Sequence, residues 1–121
     1  FLDSLPFGAG ATASDALFAG VPLLTCAGGA FAGRMAASLL NSLGLAEALV
    51  AADLAKYESI ALQLAKQPEA LRALRQQLAV ARKTSSLFDT AAFCRYLEQA
   101  YETMQTRVNN GMAASGFKVE R

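Results

Sequence analysis

Gly8, Gly10, Thr12 and Asp15 fall within one short stretch, and their types suit one kind of chemistry, the holding of an anion. Gly8 and Gly10 flank Ala9, so the backbone turns there with no large side chain in the way. Thr12 then opens T-A-S-D, a hydroxyl followed three residues later by a carboxylate. That spacing reads as a capping box with Asp15 in place of the usual Glu, and it predicts a helix from about residue 13 to 19 with Thr12 as its N-cap. Such a start offers free N–H groups and the positive end of the helix dipole to a phosphate. The competing reading is a glycine turn before a helix and nothing more, with Asp15 acting only as a cap and dipole partner.

Other chemistries are excluded by what the chain lacks. With no histidine, and with Cys26 and Cys94 far apart, neither a zinc site nor a Cys-His or Ser-His pair can be assembled. Both cysteines are expected to be reduced core residues, which fits a reducing, cytoplasmic setting. Eleven basic and ten acidic side chains leave a formal net charge of +1, too bland for nucleic acid or an anionic membrane, so a small molecule or a protein is the expected partner. The uncharged run between Asp15 and Arg34 is broken by Gly20, Pro22, Gly28, Gly29 and Gly33, so it reads as strand and glycine loop rather than a membrane span.

The elements that must position this stretch follow from periodicity. Gly20 closes the first helix, and residues 21–26 form an apolar run expected to be a strand buried on both faces. Phe31, Met35, Leu39 and Leu43 then recur at helical spacing up to Gly44, with Arg34 in the first turn, either solvated or in a salt bridge, or else supporting the glycine loop. Residues 45–51 suggest a turn and a third small strand, with a helix left open by their alanine-rich composition. Asp53 is expected to cap a helix with a Leu54, Tyr57, Ala61, Leu64 stripe, and Pro68 to begin another that buries Leu71, Leu74, Leu78 and Ala81. Arg72, Arg75, Arg82 and Lys83 are expected on its other, solvated faces. Asp89 caps the last helix, with a Phe93, Leu97, Tyr101, Met104, Val108 stripe, and residues 109–121 form a flexible tail.

The result is an α/β, helix-rich chain with two or three short parallel strands, at 121 residues one domain in size but too little sheet for a complete doubly wound domain. F-L-D-S at the beginning reads as the end of a strand. The chain is therefore expected to be a piece of a larger protein, and in isolation to associate as an oligomer, swap elements, or lean on its missing half.

Four segments in order carry a resemblance: L-D-S at 2–4, T-A-S-D-A-L-F-A-G-V-P-L-L-T at 12–25, R-M-A-A-S-L-L at 34–40 and S-S-L-F-D-T at 85–90. Together they resemble the C-terminal end of the O-linked N-acetylglucosamine transferases, the plant Spindly-type relatives included. The resemblance implies a GT-B type enzyme of two facing Rossmann-like halves, with residues 1–108 the C-terminal portion of the nucleotide-sugar-binding domain. It also implies UDP-GlcNAc as donor, serine or threonine hydroxyls of proteins as acceptor, and no metal or other cofactor. Gly10, Ala11, Thr12 and Asp15 would line the UDP site, the helix start facing the diphosphate and Asp15 the ribose hydroxyls. No catalytic residue is assigned, so the piece alone is expected to be inactive.

Two places depart from the family pattern. Gly10-Ala11-Thr12 stands where His-Thr-Thr is typical, and Ala27-Gly28-Gly29 where Pro-Gly-Glu is typical. A degenerate, noncatalytic binding or assembly module of the same fold is the alternative these departures keep open, and a plain helical interaction piece is a third.

Overall fold

Glycine and proline cut the apolar runs so short that the strands are minimal and the helices carry most of the burial. The computed structural model describes residues 1–119, and the chain divides into a first unit, residues 1–88, and a second beginning at Asp89. In the first unit the order is α1 (Ala11–Phe18), β1 (Thr25–Cys26), a 3₁₀ turn (Phe31–Gly33), α2 (Met35–Ser42), α3 (Ala46–Leu49), β2 (Val50–Ala51), α4 (Leu54–Lys66), α5 (Pro68–Thr84) and a second 3₁₀ turn (Ser86–Phe88).

β1 and β2 are parallel, with Thr25 opposite Val50 and Cys26 opposite Ala51. A parallel bridge between Leu2 and Leu24 adds the first residues on the other side of β1, through Asp3 N to Leu24 O and Leu24 N to Phe1 O, both 3.0 Å. The strand expected over 21–26 is thus only two residues of ladder. Pro22 has no N–H to give, so pairing begins beyond it, although Leu23, Leu24 and Thr25 are all buried.

Leu17, Leu23, Leu40, Leu49 and Leu78 are fully buried and join α1, α2, α3 and α5 in one core. Each such side chain contributes about 1.5–3 kcal/mol relative to exposure. α1 ends as expected at Gly20, whose φ of +83° admits the C-terminal motif: Val21 N to Ala16 O at 2.9 Å and Gly20 N to Leu17 O at 3.0 Å. α2 ends the same way at Gly44. α5 starts at Pro68 and buries Leu74 and Leu78, again as expected. Arg82 departs from its expected solvated face: its guanidinium lies 5.3 Å from the centre of the Phe18 ring, which meets Phe88 edge-on at 5.5 Å.

Two stripes shift. The buried residues of α2 are Ala36 and Leu40, followed by Leu43, while Phe31 is exposed. Phe31–Gly33 winds as a 3₁₀ turn at three residues per turn, which breaks the expected register. Leu54 is exposed in the first turn of α4, and the covered side runs through Tyr57, Ile60, Ala61 and Leu64. Cys26 is half-buried and Cys94 exposed, both as free thiols, so Cys94 is not the core residue expected.

The second unit comprises α6 (Thr90–Asn109) and the segment C-terminal to it. Phe93, Leu97, Tyr101, Met104 and Val108 keep their helical spacing but are all exposed, while Ala92 is buried. Arg107 stacks over Phe117 at 4.6 Å and donates to Ser115 Oγ at 2.8 Å. Residues 120 and 121 of the expected tail lie outside the described residues.

Candidate functional site

The start of α1 differs from the one the sequence suggests. The helix begins at Ala11 with Gly10 as N-cap, and no side chain caps it. Thr12 is therefore inside the first turn rather than at the N-cap, and the expected capping box with Asp15 does not form. The first backbone bond runs from Ser14 N to Gly10 O at 3.1 Å, which leaves the N–H groups of Ala11, Thr12 and Ala13 outside the helical ladder.

Ala11, Thr12 and Asp15 are exposed and Gly10 is half-buried, so all four candidate residues come together at one accessible helix end. Thr12 and Asp15 are three apart and share a face. Ala13 and Leu17, on the opposite side, anchor the helix in the core. A concentration of unpaired amides at the positive end of a helix is suited to an anionic group, and a carboxylate one turn on is suited to accept from hydroxyls.

Three loops surround this end. Residues 4–10 lead into α1, and 27–30 and the 3₁₀ turn lie beside them. Gly8 N donates to Ala32 O at 3.2 Å and Gly28 N to Gly33 O at 2.9 Å. A methyl group on Gly33 would meet Pro6 O at 3.0 Å, so the backbones touch with no room for a side chain. Arg34, offered by the sequence as a support of the glycine loop, is exposed and lines a groove with Phe31, Met35, Ser38 and Asn41. Among the described residues it has no ion pair; the pair that forms is Glu69 with Arg72.

One residue near the site enters the sequence reading only as part of the L-D-S segment, with no role assigned to it. Asp3 is buried, at 6% exposure, and its carboxylate accepts from Ser4 N (2.9 Å), Ala9 N (2.7 Å) and Thr25 Oγ1 (2.7 Å). Tyr57 Oη donates to the Asp3 carbonyl at 2.9 Å. Burial raises the Tyr57 pKa, with Asp3 and Cys26 adding to the rise. The signal available was an acidic residue at the end of an apolar strand, where a charge is kept only if paired.

The S-S-L-F segment serves packing. Ser85 Oγ donates to Ser42 O at 2.9 Å and accepts from Leu87 N at 3.1 Å, tying the end of α5 to the end of α2.

With this geometry in place, comparison with known proteins is specific. The sequence matches glycosyl transferase family 41 over residues 2–97. It is 36% identical over 108 residues to the probable UDP-N-acetylglucosamine–peptide N-acetylglucosaminyltransferase SEC of Arabidopsis thaliana, covering 89% of this chain and 11% of that protein. It is 38% identical over 110 residues to the SPINDLY protein of Hordeum vulgare, with the same probable activity in its name, covering 91% and 12%. A mutant O-GlcNAc transferase of Thermobaculum terrenum has a similar structure, with a TM-score of 0.74 and 39% identity over 85% of this chain and 20% of that one. The chain thus spans about a tenth of the length of these curated relatives. Its helix-rich fold with parallel strands is that of part of a GT-B type transferase, as the resemblance implied.

Proposed function

The chain belongs to glycosyl transferase family 41, and from that premise we propose that it is the donor-binding part of an enzyme that transfers N-acetylglucosamine from UDP-GlcNAc to serine or threonine hydroxyls of proteins. Residues 1–108 would be the C-terminal portion of the nucleotide-sugar-binding domain, completed by an N-terminal half that supplies the acceptor's general base. The observation that carries the reading is the uncapped, accessible start of α1. There the amides of Ala11 and Thr12 would hold the diphosphate, Gly10 would let it approach, and Asp15 would accept from the ribose hydroxyls. The same amides would stabilise charge growing on the departing UDP, as preorganised donors do.

No metal enters this scheme, because the helix end takes the part of the cation. A cytoplasmic setting suits the free thiols; in addition, no helix among the described residues is long and apolar enough to cross a membrane. The test is titration calorimetry of UDP into the intact gene product that carries this chain, with and without EDTA. The expected result is saturable binding that EDTA leaves unchanged. No heat at millimolar UDP would sink the reading.

A second reading, a noncatalytic binding or assembly module, is favoured by Gly10-Ala11 and Ala27-Gly28-Gly29, where the family's His, Thr and Glu side chains are replaced. It predicts UDP binding without transfer to any protein acceptor.

A further inference from the structure

We propose that Asp3 is a positioning residue for this site: its buried carboxylate sets the loop 4–10 and thereby aims the first amides of α1. The proposal rests on the donor-binding reading for its ligand, but not for its geometry.

Asp3 is held through the peptide groups on both sides of its Cα. Its N–H donates to Leu24 O at 3.0 Å, and its carbonyl accepts from Tyr57 Oη at 2.9 Å. The side chain is therefore a fixed point, tied to the strand on one side and to α4 on the other. From that point Oδ1 takes the amides of Ser4 and Ala9, the two ends of the loop, at 2.9 and 2.7 Å. Oδ2 is turned by Thr25 Oγ1 at 2.7 Å. Bonds of this length to an ionised acceptor are among the stronger ones available.

Ala9 immediately precedes Gly10, the N-cap. Holding the Ala9 amide anchors the chain one residue before Gly10, which enters the helix with φ −105° and ψ −86°. Gly8 completes the arrangement, since a methyl group there would come within 3.1 Å of Asp3 Oδ2 and 3.2 Å of Ala32 O. With the loop pinned in this way, Gly10 can serve as N-cap with no capping side chain, and the first amides of α1 stay uncapped. No side chain of the loop caps the helix end in its place.

The test uses the intact gene product with Asp3→Asn, which keeps the size of the side chain but loses the charge and one acceptor. UDP and uridine affinities are measured by calorimetry, and exchange of the Ala9 and Ser14 amides by NMR without ligand. The expected result is a fall in UDP affinity of about tenfold, the scale of one hydrogen bond to a charged group. Uridine affinity should change much less, because the loop aims the amides that meet the diphosphate. Exchange at Ala9 and Ser14 should quicken while α4 amides keep their rates. Asp53→Ala, which removes the cap of α4, should lower the melting temperature yet leave UDP affinity unchanged. Should Asp3→Asn fail to fold, Thr25→Val, which frees Oδ2 alone, carries the same comparison with a smaller change.

Equal losses for UDP and uridine, or unchanged exchange at Ala9 and Ser14, overturn the positioning role. A wild type silent to UDP overturns the donor reading instead, and the exchange rates still judge Asp3.

Discussion

Asp53 and Thr12 look alike in sequence as helix starts, and the molecule treats them differently. At α4 the Asp53 carboxylate accepts from Lys56 N at 2.7 Å, and at α6 Asp89 accepts from Ala92 N at 2.8 Å. Each of these helices has one amide of its first turn capped by its own side chain. At α1 a hydroxyl and a carboxylate are both at hand in Thr12 and Asp15, yet neither caps, and the N-cap is a glycine. A cap is worth about 1 kcal/mol, so α1 forgoes stabilisation that its own sequence could supply. A self-contained start holds a helix, whereas an unfilled one leaves donors for something else.

The contrast can be broken most severely from beneath. Leu17 is fully buried and carries the back of α1, so Leu17→Ala is expected to cost about 2–5 kcal/mol in chemical denaturation. It should abolish the site by loosening the helix, and an unchanged midpoint would mean that α1 is not anchored as described. Next in size is Asp15→Ala. Because Asp15 caps nothing, stability should stay within about 0.5 kcal/mol of wild type, while UDP affinity falls about tenfold if the carboxylate accepts from the ribose. The mirror result belongs to Asp53→Ala: about 1 kcal/mol lost from stability and UDP affinity unchanged. If the two variants behave alike in both measurements, the distinction between filled and unfilled helix starts is lost.

Much of this was legible in the sequence because the signals are local. Pro68 beginning α5, Asp53 and Asp89 as caps, Gly20 and Gly44 as stops, and the four family segments each need only a few neighbouring residues. The start of α1 was not legible, because whether Thr12 or Gly10 is the N-cap depends on how the loop is held. That is settled by Asp3 through Ala9 and by Thr25, 22 positions away in the chain. The α2 register failed for a related reason. Phe31–Gly33 closes as a tight turn against the Gly8 and Gly28 loops, and contacts between loops leave no periodic mark on any one of them. The family resemblance points to the stretch from Gly10 to Asp15, and the structure shows Asp3 holding the loop before it.

The smallest expected effect joins the two helix starts. Tyr57 N donates to Asp53 O at 2.9 Å, in the first turn of α4, and the same residue's hydroxyl reaches the Asp3 carbonyl. Its pKa is raised above the ordinary 10.0, by burial first and then by the Asp3 and Cys26 charges. The folded protein therefore keeps the phenol proton more tightly than the unfolded chain does. The resulting stabilisation is fully present below the unfolded value and is lost as pH rises through the folded one. Tyr57→Phe removes both the hydrogen bond and the titration. At neutral pH it should cost about 1 kcal/mol or less, a typical net hydrogen bond. The difference in stability between wild type and variant should then shrink as pH climbs past the ordinary tyrosine value. A difference that stays flat over that range would mean that the hydroxyl does not hold Asp3, and that α4 and α1 begin independently of each other.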